Sequence, residues 1–231
     1  MKKLFAVIAV VVMMLVVGSA YAVDNQPVKL SVEPYADLVL SHKVEQDNMS
    51  VNLSQGWYGA KVNITLLDRL TISPFLAGVG TGGKLEGDKL DTDNALGYGV
   101  GAKLDLPLNL PVDIALLSMI RATSTDLNKV GDYELSSDKD LDMLEYEFEV
   151  QVSKALEIPN IPGKITPIIG VRYSDLKING NPDGADVNLK AKTNIGMTVG
   201  AKYDINDTFG VSIKSKFIDQ TAIEVAGIVR F

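Results

Sequence analysis

Apolar and polar residues alternate with a period of two along much of the chain. Tyr58, Ala60, Val62, Ile64 and Leu66 form an apolar row interleaved by Gly59, Lys61, Asn63 and Thr65. The pattern returns as Leu96, Tyr98, Val100, Ala102 and Leu104 against Gly97, Gly99, Gly101, Lys103 and Asp105. It is sharpest where Leu144, Tyr146, Phe148, Val150 and Val152 alternate with Glu145, Glu147, Glu149, Gln151 and Ser153. Three more rows follow: Ile195 to Tyr203, Phe209 to Phe217, and Ile223, Val225, Gly227, Val229 and Phe231. Successive side chains of a strand point to opposite faces, so each row predicts a strand with one apolar face. Weaker strands are expected around 32–41, 70–79, 112–123 and 165–174. Pro34, Pro74 and Pro167 remove ladder donors there, and Ala115 to Ile120 is apolar in both phases. The expected total is ten strands.

A soluble sandwich also alternates, but its polar face carries long charged residues. Here the polar rows mix Gly, Ser, Thr and Asn with occasional charges, which suits the crowded lumen of a narrow barrel. The expected connections alternate in length: 43–56, 80–94, 124–141 and 175–193 are long, whereas 67–69, 106–111 and 204–207 are short. An up-and-down membrane barrel has this alternation, with short turns on one rim. The connection 155–164 is intermediate, and 218–220 is short where a long one is expected. Tyr58, Tyr98, Tyr146, Tyr173 and Phe217 fall at the long-connection ends of apolar rows, and Tyr203, Phe209 and Phe231 at the short-turn ends. They predict two aromatic girdles. The fold class is therefore all-β, a transmembrane antiparallel up-and-down barrel of about ten strands, with eight as the alternative.

The N-terminus changes the picture by supplying an address. Lys2 and Lys3 precede an apolar run from Leu4 to Val17, followed by Gly18, Ser19, Ala20, Tyr21 and Ala22. This predicts a signal peptide over 1–22, cleaved after Ala22, and a barrel domain over 23–231. The net charge of -7 becomes -9 without Lys2 and Lys3, which argues against a nucleic-acid partner. The chain has no cysteine, which excludes disulfides, thiolate metal sites and Cys nucleophiles, and it has a single histidine, His42.

The last row, Ile223, Val225, Gly227, Val229 and Phe231, resembles the C-terminal signal strand of Gram-negative outer-membrane barrels. With hairpins such as Gly200-Ala-Lys-Tyr-Asp-Ile-Asn-Asp-Thr-Phe209, the chain resembles the small OmpA/OmpX/opacity-like porin-family barrels. The resemblance implies residence in the outer membrane and recognition of the final strand by the barrel-assembly machinery during biogenesis. It also implies contact with outer-membrane lipid and lipopolysaccharide, and a peptidoglycan-binding domain after the barrel is not expected.

Candidate chemistry lies mainly in the polar rows. Glu145, Glu147 and Glu149 form a row of carboxylates roughly 7 Å apart along one strand. Such a row calls for cations across the lumen, and Arg121 and Arg172 are expected on the flanking strands. Lys61, Lys103, Lys202, Lys214, Glu224 and Arg230 complete the expected lumen charge network. The network either fills the interior or lines a narrow path for ions or small solutes. The first gives a structural or surface-interaction barrel, the second a small porin. An omptin-like protease or a lipid-modifying enzyme would need an acid–base partner for His42. Asp37 shares its face only if the strand register slips, and Ser41 points to the other face, so no catalytic residue is assigned. Asp88, Asp91, Asp93 and Asn94, and Asp138, Asp140 and Asp142, carry oxygen ligands without EF-hand spacing. They read as solvated acidic loops, and no metal or cofactor is assigned. Asn179-Gly-Asn-Pro-Asp-Gly184 reads as a turn, and the surface ligand is unknown.

Overall fold

The computed structural model describes residues 28–46, 49–85, 88–134, 140–159, 161–181 and 186–231. The expected signal peptide, its cleavage site, Asp138 and residues 182–184 of the expected turn lie outside the described residues. The strands are β1 (Lys29–Gln46), β2 (Met49–Leu66), β3 (Leu70–Leu85), β4 (Asp88–Thr92), β5 (Ala95–Leu106), β6 (Asp113–Val130) and β7 (Tyr133–Glu134). Then come β8 (Asp140–Ser153), β9 (Lys164–Gly180), β10 (Val187–Ala191), β11 (Ile195–Asp204), β12 (Phe209–Phe217) and β13 (Gln220–Arg230). All pair antiparallel, and β1 pairs with both β2 and β13, which closes the sheet. Closure leaves no sheet edge within the belt, the condition for a β-structure to cross lipid.

β4 and β5 share one stave, as do β10 and β11, and β7 is a short return on β6. Ten staves therefore stand at the end where Phe231 donates its backbone N–H to Leu30 O, called here the terminal end. At the opposite, hairpin end the ring is narrower. The β12–β13 turn stops low in the wall, and above it β10 pairs with β1 through Val44↔Ala191 and Glu45↔Lys190. The hairpin end is thus ringed by eight strands: β1, β2, β3, β4, β6, β8, β9 and β10. Both strand numbers weighed from the sequence occur, at different heights. The short 218–220 connection, the exception to the alternation, is where the ring tapers.

The expected long connections are corrected in the same way. β1 and β2 continue the ladder through 43–56 as far as Gln46↔Met49, and β9 runs on to Gly180. What reads as loop from its polarity is sheet rising above the apolar belt. The weaker strands are also longer than expected. Pro34 and Pro74 each interrupt one ladder: β1 loses its pairing with β13 between Val32 and Tyr35, and β3 loses its pairing with β2 between Ile72 and Phe75. The other neighbour of each proline stays in register, Ala60 for Pro34 and Val100 for Pro74.

Within the belt the apolar rows face outward. Leu76, Leu96, Ile120, Phe148, Val171, Val199, Ile213 and Val225 are exposed, whereas Gly97, Glu149, Arg172, Thr198, Lys216 and Glu224 of the opposite phase are buried. The doubly apolar stretch of β6 resolves with Ala115 inside and Ile120 outside. Tyr58, Tyr146, Tyr173 and Phe217 stand exposed on the outer face toward the hairpin end, with Tyr98 half-buried beside them. At the terminal end, Tyr203, Phe209 and Phe231 lie on or beside β11, β12 and β13 alone, so the second girdle covers only one side. In an aqueous protein so continuous an apolar exterior would be an aggregation surface; on a closed barrel it is a lipid-facing belt.

Candidate functional site: the filled interior

The interior is stacked in layers. Nearest the hairpin end, Val44, Val51, Leu53, Leu127, Leu141, Met143, Leu176, Ile178 and Leu189 form one buried apolar cluster. They come from six staves and occupy the inward phase, while their neighbours Lys43, Asn52, Ser54, Asp126, Asp142 and Lys190 are exposed outward. Above the belt, then, the chain has the polarity of a soluble barrel. Eight strands enclose a space that side chains can just fill. The apolar cluster occupies that space.

Beneath it lies a charged layer built around two guanidinium groups. Arg121 Nη1 is 2.8 Å from Asp37 Oδ2, and its Nε donates to Glu145 Oε2 at 2.7 Å. Arg121 and Glu145 are cross-strand partners on β6 and β8. The indole of Trp57, 2% exposed, lies 4.7 Å from the Arg121 guanidinium carbon, a cation–π stack on its face. Arg172 Nη1 is 3.0 Å from Glu147 Oε2, and its Nε donates to Asp219 Oδ2 at 2.8 Å. Ser174 Oγ donates to the same Asp219 oxygen at 2.8 Å. Lys216 ties the two halves together, with its Nζ 3.5 Å from Glu147, 3.6 Å from Asp37 and 3.9 Å from Glu224.

Toward the terminal end the charges become wetter. Lys61 reaches Glu224 at 3.4 Å and Glu33 at 3.5 Å and covers the Tyr35 ring at 4.4 Å. Lys214 lies 3.9 Å from Glu224. On the β5 side, Trp57 and Phe75 fill the width, and Gly97 and Gly99 make room for them. A Cβ on Gly97 would lie 2.3 Å from the Trp57 ring, and one on Gly99 2.5 Å from the Phe75 ring. These two glycines, legible only as small polar-phase residues, are therefore the complement of two inward aromatics.

Of the eleven expected lumen residues, the structure brings Arg121, Glu145, Glu147 and Arg172 into the central layer and Lys61, Lys214 and Glu224 just below it. Glu149 is buried beside them, but it accepts from the Gln151 amide at 2.9 Å, and among the described residues no ion pair reaches it. Lys103, Lys202 and Arg230 do not join. Lys103 pairs with Asp105 at the mouth, where their side chains are 43% and 40% exposed, and Lys202 and Arg230 both hold Asp204. Asp37, Lys216 and Asp219 belong to the centre without having been singled out for it. Lys216 stands two residues beyond Lys214 in the polar phase, a signal that was available. Asp219 sits in a turn, where alternation gives no direction.

The register of β1 does slip, at a bulge between Val39 and His42, so Asp37 and His42 share the inner face. His42 is buried, and its Nε2 has no hydrogen-bond partner among the described residues. Of the acidic stretches, Asp93 accepts from Asn128 at 2.7 Å, and no group of three or more acidic or histidine residues is placed to hold a metal ion among the described residues.

A closed antiparallel barrel, apolar outside and charged within, is a small transmembrane barrel of the outer-membrane type. No protein-family model matches the sequence, and no curated protein does. Among solved structures the chain is similar to the translocator domain of the autotransporter NalP from Neisseria meningitidis, at 10% identity over 99% of this chain and 98% of that one, TM-score 0.46. It is similar to an outer membrane channel from Pseudomonas putida F1, at 12% identity over 91% of this chain and 98% of that one, TM-score 0.49. A third is the outer membrane protein OprG from Pseudomonas aeruginosa, at 11% identity over 90% of this chain and 97% of that one, TM-score 0.46.

Proposed function

We propose that the protein is a plugged outer-membrane barrel with a structural or surface-interaction role, exported by cleavage after Ala22 and embedded in the bacterial outer membrane. The observation that carries this reading is the stacking of the apolar cluster directly above the Arg121–Arg172 layer. An ion crossing the interior would have to leave water, pass between apolar side chains and break buried pairs, each step costing several kcal/mol. The cluster lies in the part ringed by eight strands, where the bore is narrowest. On this reading lipopolysaccharide surrounds the hairpin end, the barrel-assembly machinery reads the strand ending in Phe231, and ligands meet the outward polar face of the raised strands. No catalytic step is assigned, and His42 serves as a packing residue between the two layers.

The competing reading is a small porin, in which the same charges select ions. Ion flux from vesicles containing the folded chain from Val23 separates the two. The expected result is flux at the level of empty vesicles for the wild type, and lowered stability without new selectivity for the Glu145→Gln, Glu147→Gln, Glu149→Gln variant. Wild-type flux that changes its cation preference in that variant would establish the porin.

A further inference from the structure

Two connections at the terminal end are aliphatic where short turns of a membrane barrel are ordinarily polar. The β5–β6 turn reads Pro107-Leu-Asn-Leu-Pro111, with Leu108 and Leu110 49% and 52% exposed. The β8–β9 connection exposes Leu156, Ile158 and Ile161. The two lie side by side, because Asp113, where β6 begins, is the cross-strand partner of Ser153, where β8 ends. The other two turns at this end each expose a single aliphatic residue among polar ones, Leu67 beside Asp68 and Arg69, and Ile205 before Asn206, Asp207 and Thr208.

The longer connection is held in place. Leu156 and Ile165 exchange backbone hydrogen bonds at 2.8 and 3.0 Å, and Ile161 N–H donates to Ile158 O at 3.1 Å. Tyr203 Oη donates to Pro162 O at 2.6 Å. Gly163 has φ +86° and abuts the Asp204 carbonyl so closely that no side chain fits. Glu157 of this connection is paired, with Lys164 Nζ at 3.2 Å, and Lys154 at its start is exposed and can reach the headgroups.

We infer that these two turns form a one-sided lipid-docking surface, seated at the headgroup–acyl boundary of the leaflet at the terminal end, with their aliphatic side chains toward the acyl chains and their backbone still reaching water. The argument is continuity with the lipid-facing belt. On β5, β6, β8 and β9 the outward rows run through Leu104, Leu116, Val150 and Ile169 toward the aliphatic turns, with no aromatic girdle between. Of the terminal-end aromatics, Tyr203 borders the β8–β9 connection through its bond to Pro162, and Phe209 and Phe231 stand farther round the wall on and beside β12 and β13. The leaflet is therefore met by two kinds of anchor: aromatic rings along β11 to β13, and on the β5 to β9 side aliphatic turns whose side chains dip into the boundary.

The absence of native cysteine allows single spin labels at Leu108→Cys, Leu110→Cys, Ile158→Cys and Ile161→Cys, with Asp207→Cys as the aqueous reference. Power-saturation spectra of the folded chain in phosphatidylcholine vesicles report collisions with oxygen and with a water-soluble nickel chelate. Four sites with oxygen collisions exceeding nickel collisions, and the reverse ratio at 207, is the expected result. Nickel-dominated collisions at the four sites would overturn the proposal. Shielding from both reagents would overturn it too, by showing that a second copy of the chain covers the patch.

Discussion

At the scale of single residues, the interior is governed by the penalty for an unpaired buried charge. Arg172 is 1% exposed and holds both Asp219 and Glu147. Arg172→Met leaves Asp219 without its cation and Glu147 with Lys216 alone, and is expected to cost about 3–5 kcal/mol. Lys103→Met, which breaks an exposed pair at the mouth, is expected to cost no more than about 1 kcal/mol. Urea unfolding of the barrel in vesicles, followed by heat-modifiable gel migration, measures both, and equal losses would contradict the layered interior. A second residue-scale effect lies outside the membrane. Asp140 and Asp126 face each other across β8 and β6, and the carboxyl of Asp140 is pushed up by its hydrogen bond to Asp126 and by that neighbour's charge. A raised carboxyl contributes fully below the ordinary carboxylate range and loses its contribution as pH rises through its raised value. Protection of the amides around 126 and 140, relative to their intrinsic exchange rate at each pH, is therefore expected to rise on acidification, and Asp126→Asn to remove that rise.

At the scale of elements, the long strands invert their polarity part-way along. On β9, Ile169, Val171 and Tyr173 are apolar outward, whereas two turns of the pleat later Leu176 and Ile178 are apolar inward. β2 makes the same inversion between Leu53 and Tyr58. The inversion follows from the solvent: lipid outside demands an apolar exterior, and water outside an apolar interior. It also explains what was legible. The six strong rows lie wholly or mostly in the belt and kept one phase, so they and the lumen phase of Glu145, Arg121 and Arg172 could be read directly. Val44, Val51, Leu127 and Leu189 sat as isolated apolar residues among polar ones, because only one phase of a strand above the belt is apolar. Asp37 was hidden by the bulge that restores its phase with His42, and Asp219 by the absence of any period in a turn. Leu176→Ala is expected to cost about 2–5 kcal/mol, as for a core residue of a soluble protein. In the same unfolding measurement Val171→Ala, on the lipid face, is expected to cost far less. A reversed order would contradict the inversion.

At the scale of the whole molecule, three features coincide at one height. The ring narrows from ten strands to eight, the apolar cluster begins, and the β12–β13 turn presents Asp219 to Arg172. The final hairpin closes the wide part of the barrel, and its turn completes the charged layer from below the taper. Closure of the sheet and filling of the interior are thus a single structural event. Single-channel current in a planar bilayer tests this most directly, on folded chain from Val23 whose insertion has been checked by heat-modifiable migration. Inserted protein that gives no stable current steps is the expected result. Reproducible, charge-selective steps from the wild type would contradict the plugged interior.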